Sequence, residues 1–291
     1  MKIIDCTTYY SEDLMLDVRF NILNKHVDKF IITESKFSHS GNEKPLNFDI
    51  NNFKKFEDKI QYLVIENEPA GIIKNDDSSS VKRMNSLLRI NQSYDFMLNA
   101  IKDTSDNDLI CLSDNDEIPN FDSEVFKKSN KDIFIFKQLF FYYKFNLFYD
   151  LMPWYGTKAC KKKKLVSLSW LRNLKNKQYP FWRLDTIFSK TKYNNLQIVE
   201  NGGWHFTNLK TANEIHTKLL NFGHHNEFDV SGVTAEDIQK CIDNRIVNYN
   251  HFADQSADNK YTANYKLQLV EDKILPRYLI NNKKKLKEWF D

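Results

Sequence analysis

Glycine and proline are scarce in this 291-residue chain, at 7 and 6, which excludes collagen-like and low-complexity architectures. Cysteine is as sparse: Cys6, Cys111, Cys160 and Cys241 are scattered, with no C-x-x-C pair. Neither a thiolate zinc site nor a disulfide scaffold is signalled, and reduced thiols are expected. Long apolar runs are missing too. No stretch approaches the roughly 18 apolar residues of a membrane span, and the run after Met1 is too short for a signal peptide. The expected location is cytoplasmic, with any membrane contact peripheral, at the inner face. Charge of one sign is also absent: 42 Lys and Arg against 39 Asp and Glu leave a formal +3. That balance gives no reason to expect a polyanion, and no nucleic-acid partner is expected.

Aromatic residues are plentiful. With 22 Phe, 14 Tyr and 41% hydrophobic residues, the chain can bury a sizeable core and is not disordered. Lys2 to Thr8 reads as a strand, and Leu14, Val18 and Ile22 recur at helical spacing behind it. Lys29 to Glu34 and Ile60 to Ile65 are further strands, and Glu66 to Ser80 is a loop without periodicity. Val81 to Ile101 is helical, and Leu109 to Ser113 is a short buried strand. Alternating strands and helices over the first ~120 residues argue for an α/β fold with a mostly parallel central sheet, whose ligands bind outside the carboxyl ends of the strands. Ile133 to Phe148 is dense in Phe and Tyr and reads as one long strand or a strand pair. Thr211 to Gly223 and Thr234 to Tyr249 look helical. Pro276 to Phe290 reads as a basic amphipathic helix. Lys161 to Lys164 is expected to be a solvated turn.

The strongest chemical signal is Asp114-Asn115-Asp116-Glu117, directly after a buried strand. Three clustered carboxylates repel one another unless a cation or hydrogen-bond donors compensate. Residues i and i+2 of an extended segment point the same way, so Asp114 and Asp116 can converge on one ion. Hard oxygen ligands suit Mg²⁺ or Mn²⁺, and those ions suit a diphosphate. The competing expectation is a solvated acidic turn or a helix cap. Asn201-Gly202-Gly203-Trp204-His205-Phe206 holds the only Gly-Gly pair, where backbone can approach a ligand closely.

Several segments together resemble glycosyltransferase family 17. They are Asp5-Cys6 with Tyr9-Tyr10, Asp28 to Ser35, Pro45-Leu46, Arg89-Ile90-Asn91, Leu112 to Pro119, and Gly203-Trp204-His205-Phe206. The similarity runs from the N-terminus to about Glu227 and is densest in the D-x-D-E-I-P and G-W-H-F elements. The family is best known for bisecting β-1,4-N-acetylglucosaminyltransferases acting on N-glycans. The resemblance implies a GT-A-type nucleotide-sugar-binding fold, an inverting mechanism, UDP-N-acetylglucosamine as donor and a divalent cation on its diphosphate. Asp114 and Asp116 match the D-x-D positions, Glu117 the acid that follows, and His205 the histidine of the tryptophan-histidine element. The animal members are Golgi-anchored, and no anchor is read here. The expected acceptor is therefore a bacterial or viral surface polysaccharide or glycoconjugate, a glycan or lipid-linked glycan, in place of a bisected N-glycan.

On this reading Asp116, Asp114 and His205 hold the metal, with Asp114 alternatively on the ribose. A core imidazole is the competing expectation for His205. An inverting transfer also needs a carboxylate to take the acceptor proton; Glu200, Asp185 and Glu227, in that order, are the candidates, with Glu117 beside them. Arg83 and Arg89, six residues apart on one helix, are candidates for the diphosphate, with Asn91 next to them. Glu34, at a strand end, is a candidate for uracil or ribose. Trp154 and Trp204 are candidates for stacking on sugar rings. Residues 1–230 are expected to form the catalytic domain, with a donor-binding half over about 1–125 and an acceptor-side half over about 126–230. Residues 231–291 are expected to form a helical extension packed on it. Lys283, Lys284, Lys285 and Lys287 against Leu279, Leu286, Trp289 and Phe290 give that extension either a membrane-facing helix or one docked on its own domain. The alternatives to a transferase are a metal-dependent phosphodiesterase and a silent nucleotide- or glycan-binding module.

Overall fold

The near-continuous apolar runs become strands covered on both faces. The computed structural model describes residues 1–252 and 260–291. Ile3–Tyr9 (β1), Lys29–Ser35 (β2), Ile60–Ile65 (β3) and Leu109–Ser113 (β4) lie parallel in the order β3-β2-β1-β4. Asp13–Leu23 (α1) connects β1 to β2, and Ser79–Asp95 (α2) precedes β4. β1 shows how its period of two assigns these helices to opposite faces. Ile3 packs in the cluster of Leu16 and Phe20, while Ile4 and Cys6 pack in the cluster of Tyr94, Met97 and Ile101. The register sets Thr7 beside Ser113 and Tyr9 beside Glu34, so three parallel strands end on one edge.

Past β4 come Glu117–Pro119 (β5), Glu124–Lys128 (α3), Ile133–Tyr142 (β6), Leu147–Phe148 (β7) and Trp154–Lys161 (β8). The aromatic-rich stretch is thus a strand pair, broken at Tyr143, whose φ is +63°. β8 runs antiparallel between β4 and β6. Leu168–Arg172 (α4) and Asp185–Phe188 (α5) are single turns, followed by Gln197–Val199 (β9) and Gly203–Thr207 (β10). β10 is parallel to β6 and antiparallel to β5.

The chain continues through Ala212–Asn221 (α6), His225–Ser231 (α7), Ala235–Asp243 (α8), Ile246–Val247 (β11), Tyr265–Lys266 (β12), Gln268–Leu269 (β13) and Arg277–Asn281 (α9). The helix expected over Thr234 to Tyr249 stops early, and Ile246–Val247 pairs with β12 instead. β13 adds to the main sheet beside β7. The single helix expected over Pro276 to Phe290 is not formed either. α9 ends at Asn281 and the chain turns, because Asn281 and Asn282 are weak helix formers at its end and a continued helix would set Lys283 and Lys287 one turn apart. Leu279 and Leu286 are buried, with Trp289 and Phe290 packed on the α1 cluster. The apolar side chains needed for a membrane-facing helix are covered by the protein itself.

Candidate active site

A cavity of about 500 Å³ opens at the carboxyl ends of β1, β2 and β4 and is closed by β6, β10, α6 and the segment after α8. This is where an open parallel sheet holds its ligands. The acidic turn after β4 forms its floor, held from beneath by a buried ion pair. Arg19 of α1 donates to Asp5 Oδ2 at 2.7 Å and to the Glu117 carbonyl at 2.6 Å, with no exposure to solvent. Glu117 itself is buried and does not line the cavity. Its carboxylate accepts from Arg172 Nη1 at 3.0 Å, Trp154 Nε1 at 2.8 Å and the Asp114 amide at 3.0 Å. Burial pushes the Glu117 carboxyl above its ordinary value, and Arg172 opposes that shift. The guanidinium also binds Asp114 Oδ2 at 2.6 Å, while Tyr94 donates to Asp114 Oδ1 at 2.8 Å. Both oxygens of Asp114 are thus engaged by protein donors.

Asp116 projects into the cavity. Its Oδ1 stands 3.4 Å from His205 Nε2, and its Oδ2 3.9 Å from Lys218 Nζ of α6. Burial alone would raise this carboxyl, but the imidazole and the ammonium hold it well below the usual carboxylate range. The His205 ring packs against two aromatic rings, 4.4 Å from Trp154 and 4.7 Å from Phe140, which also touch each other, and its Nδ1 is buried with no partner among the described residues. The two sequence elements meet through backbone: His205 is the register partner of Glu117, and the Phe206 amide donates to the Asp116 carbonyl at 2.9 Å. Glu12, before α1, also reaches the cavity and accepts from Asn115 at 2.8 Å. Burial tends to raise its carboxyl, yet Lys210, Lys218 and the neighbouring donors lower it.

A sequence model of glycosyltransferase family 17 matches residues 1–288. The chain belongs to glycosyltransferase family 17. That membership makes it a glycosyltransferase, with a nucleotide-sugar donor and an acceptor as substrates, in place of a phosphodiesterase. No curated protein matches it. Among solved structures it is similar to the inositol-1-phosphate CTP transferase from T. maritima, at 13% identity and a TM-score of 0.29, covering 56% of this chain and 71% of that one. It is also similar to HddC from Yersinia pseudotuberculosis, at 11% identity and a TM-score of 0.31, covering 68% and 90%.

Of the residues singled out in this family 17 sequence, Asp114, Asp116, His205, Arg83 and Trp154 line the cavity. Arg83 donates to the Gly223 carbonyl at 2.6 Å. The others stand outside the lining. Arg89, on another face of α2, binds Glu68 through two nitrogens at 2.7 and 2.8 Å, and Asn91 is exposed. Glu34 is buried and already accepts from Lys44, Tyr62 and the amides of Asn47 and Phe48. Trp204 turns to the opposite face of β10, where its Nε1 donates to the Ile274 carbonyl at 2.7 Å. Glu200 pairs with Lys137 and Asp185 with Arg183 and Lys192, each on exposed surface. Glu227 pairs with His224 at 2.9 Å. Sequence reasoning missed Glu12, Arg172 and Lys218. Glu12 had a signal, an acid just beyond the end of the first strand; the two cations had none.

Among the described residues no three His, Cys, Asp or Glu side chains form a group able to hold a metal ion. Asp116 and His205 supply two donors. Adjacent ligands of an octahedral ion at ~2.1 Å lie about 3 Å apart, and the 3.4 Å between these two fits that spacing.

Proposed function

We propose that the cavity binds a UDP-sugar, with UDP-N-acetylglucosamine the expected donor, and that the fold is of GT-A type. The sugar passes with inversion to a glycan or lipid-linked glycan of a bacterial or viral surface. The observation that carries this reading is the meeting of Asp116, His205 and Lys218 in one cavity at the carboxyl ends of parallel strands. Mn²⁺ or Mg²⁺ would be held by Asp116 and His205, its other positions left to phosphate oxygens and water, and would stabilise the charge on the departing UDP. Lys218 and Arg83 offer positive charge to the diphosphate. Trp154, through its stacking and its bond to Glu117, fixes the plane of the His205 ring. Glu12 is the proposed base in place of Glu200, Asp185 and Glu227. It is held ionised, and among the described residues its Oε1 has only Lys210 Nζ, at 4.0 Å.

UDP release from a panel of UDP-sugars, with Mn²⁺ and mixed glycan acceptors, tests the reading. Release is expected from one donor and is expected to be lost in Asp116→Ala. Release that survives the substitution, or a wild-type protein that binds no UDP, would overturn it.

A further inference from the structure

Between α4 and β9 the chain leaves the domain and returns. The stem of this excursion is closed by the Lys175 amide on the Thr191 carbonyl at 2.9 Å, the Tyr179 amide on the Tyr193 carbonyl at 3.2 Å, and Trp170 Nε1 on the Lys190 carbonyl at 2.6 Å. Its tip, which includes α5, is apolar and open. Phe181, Trp182, Leu184, Ile187 and Phe188 are between 66% and 88% exposed. Large apolar side chains concentrated in this way mark an interaction surface, unlike scattered single ones.

Charge names the partner. Residues 175–192 hold Lys175, Lys177, Arg183, Lys190 and Lys192 against Asp185 alone, a net +4 compared with +3 for the whole chain. Asp185 is clasped by Arg183 and Lys192. A second copy of this chain docking across a two-fold axis would set like charge against like charge. An anionic lipid surface instead accepts both features, aromatic and aliphatic side chains entering its interfacial layer while lysines meet the phosphates. We propose that residues 175–192 form a membrane-docking tip that inserts Phe181, Trp182, Leu184, Ile187 and Phe188 into an anionic bilayer. The stem begins just past Arg172, which lines the cavity, so docking holds that part of the cavity wall at the membrane. Its use for a lipid-linked acceptor rests on the proposed glycosyl transfer; the docking does not.

The test is co-sedimentation of the full chain with phosphatidylcholine vesicles with and without phosphatidylglycerol, comparing wild type with Trp182→Ser/Phe188→Ser. Both side chains are exposed, so the variant is expected to fold as wild type does and to release UDP in solution at the same rate. Wild type is expected to sediment with the anionic vesicles and to lose binding as salt rises, with the variant at least roughly tenfold weaker. Absence of wild-type binding, equal binding by the variant, or equal binding to neutral vesicles would overturn the proposal. So would a wild-type dimer that the variant abolishes without any vesicle binding. The UDP-release assay fails or succeeds separately, so loss of one conclusion leaves the other standing.

Discussion

Arg172 neutralises two carboxylates at once, and one of them, Glu117, is fully buried. Removing one partner of a buried pair leaves an uncompensated charge, at a cost of about 3–5 kcal/mol. Arg172→Leu is therefore expected to lose stability of that order in urea unfolding; a loss under ~1 kcal/mol would show that Glu117 is carried by Trp154 and the Asp114 amide alone. Glu12 supplies the catalytic counterpart. Glu12→Gln keeps the shape and removes the base, so turnover is expected to fall by about 10²–10⁴ while UDP affinity stays near wild type. Retained turnover would return the base to another carboxylate. Asp114 and Asp116 were legible because an acid cluster after a buried strand is both locally costly and placed where ligands bind. Arg172 was not. A single arginine closing a five-residue helix has no pattern, and its meeting with Asp114 spans a separation of 58 residues.

β10 joins the two sequence elements of the site, and its glycine permits the junction. Gly203 has a φ of +122°, and a Cβ there would stand 2.1 Å from the Ile118 carbonyl oxygen. Both the backbone angle and the contact forbid a side chain, and strand β5 cannot withdraw without moving Glu117. Gly203→Ala is expected to cost about 3 kcal/mol or more, with loss of UDP binding, read by thermal melting and calorimetry. An unchanged melting temperature would mean that the β5–β10 pair adapts. The alternation of β10 was open to sequence reasoning, which nonetheless gave both Trp204 and His205 to the site; adjacent strand residues face opposite ways. The C-terminal tail misled for another reason. Its apolar spacing is helical, but the asparagines at the end of α9 and the lysines that follow break the helix before that spacing can be used.

At the scale of the molecule, the parallel half was readable because β1 to β4 are continuous apolar runs linked by local crossovers. The antiparallel insertion of β8 and the return of β13 to the sheet depend on pairings between distant segments, which no local pattern records. The cavity is likewise walled by residues far apart in sequence, and titratable groups are buried there. His39 and His251 line the cavity, and each is pushed down to about 4 from 6.5. Burial is the main cause for both, seconded by Arg89 for His39, where Asp114 opposes it, and by His205 for His251. His251 also shares a 2.5 Å hydrogen bond with Tyr142. Both rings stay neutral in the folded protein while the unfolded chain takes up protons below 6.5. Stability from these two groups is therefore present above pH 6.5, falls as pH drops toward 4, and changes no further below that. The carboxyls of Asp116 and Asp122, held low, act only below their ordinary 3.8. The melting temperature is accordingly expected to fall between pH 6.5 and 4 in the wild type, and to fall less over that window in His39→Gln/His251→Gln. Parallel curves for the two proteins would show that the rings take up protons in the fold as easily as in the unfolded chain, and that the cavity wall is wetter than its packing implies.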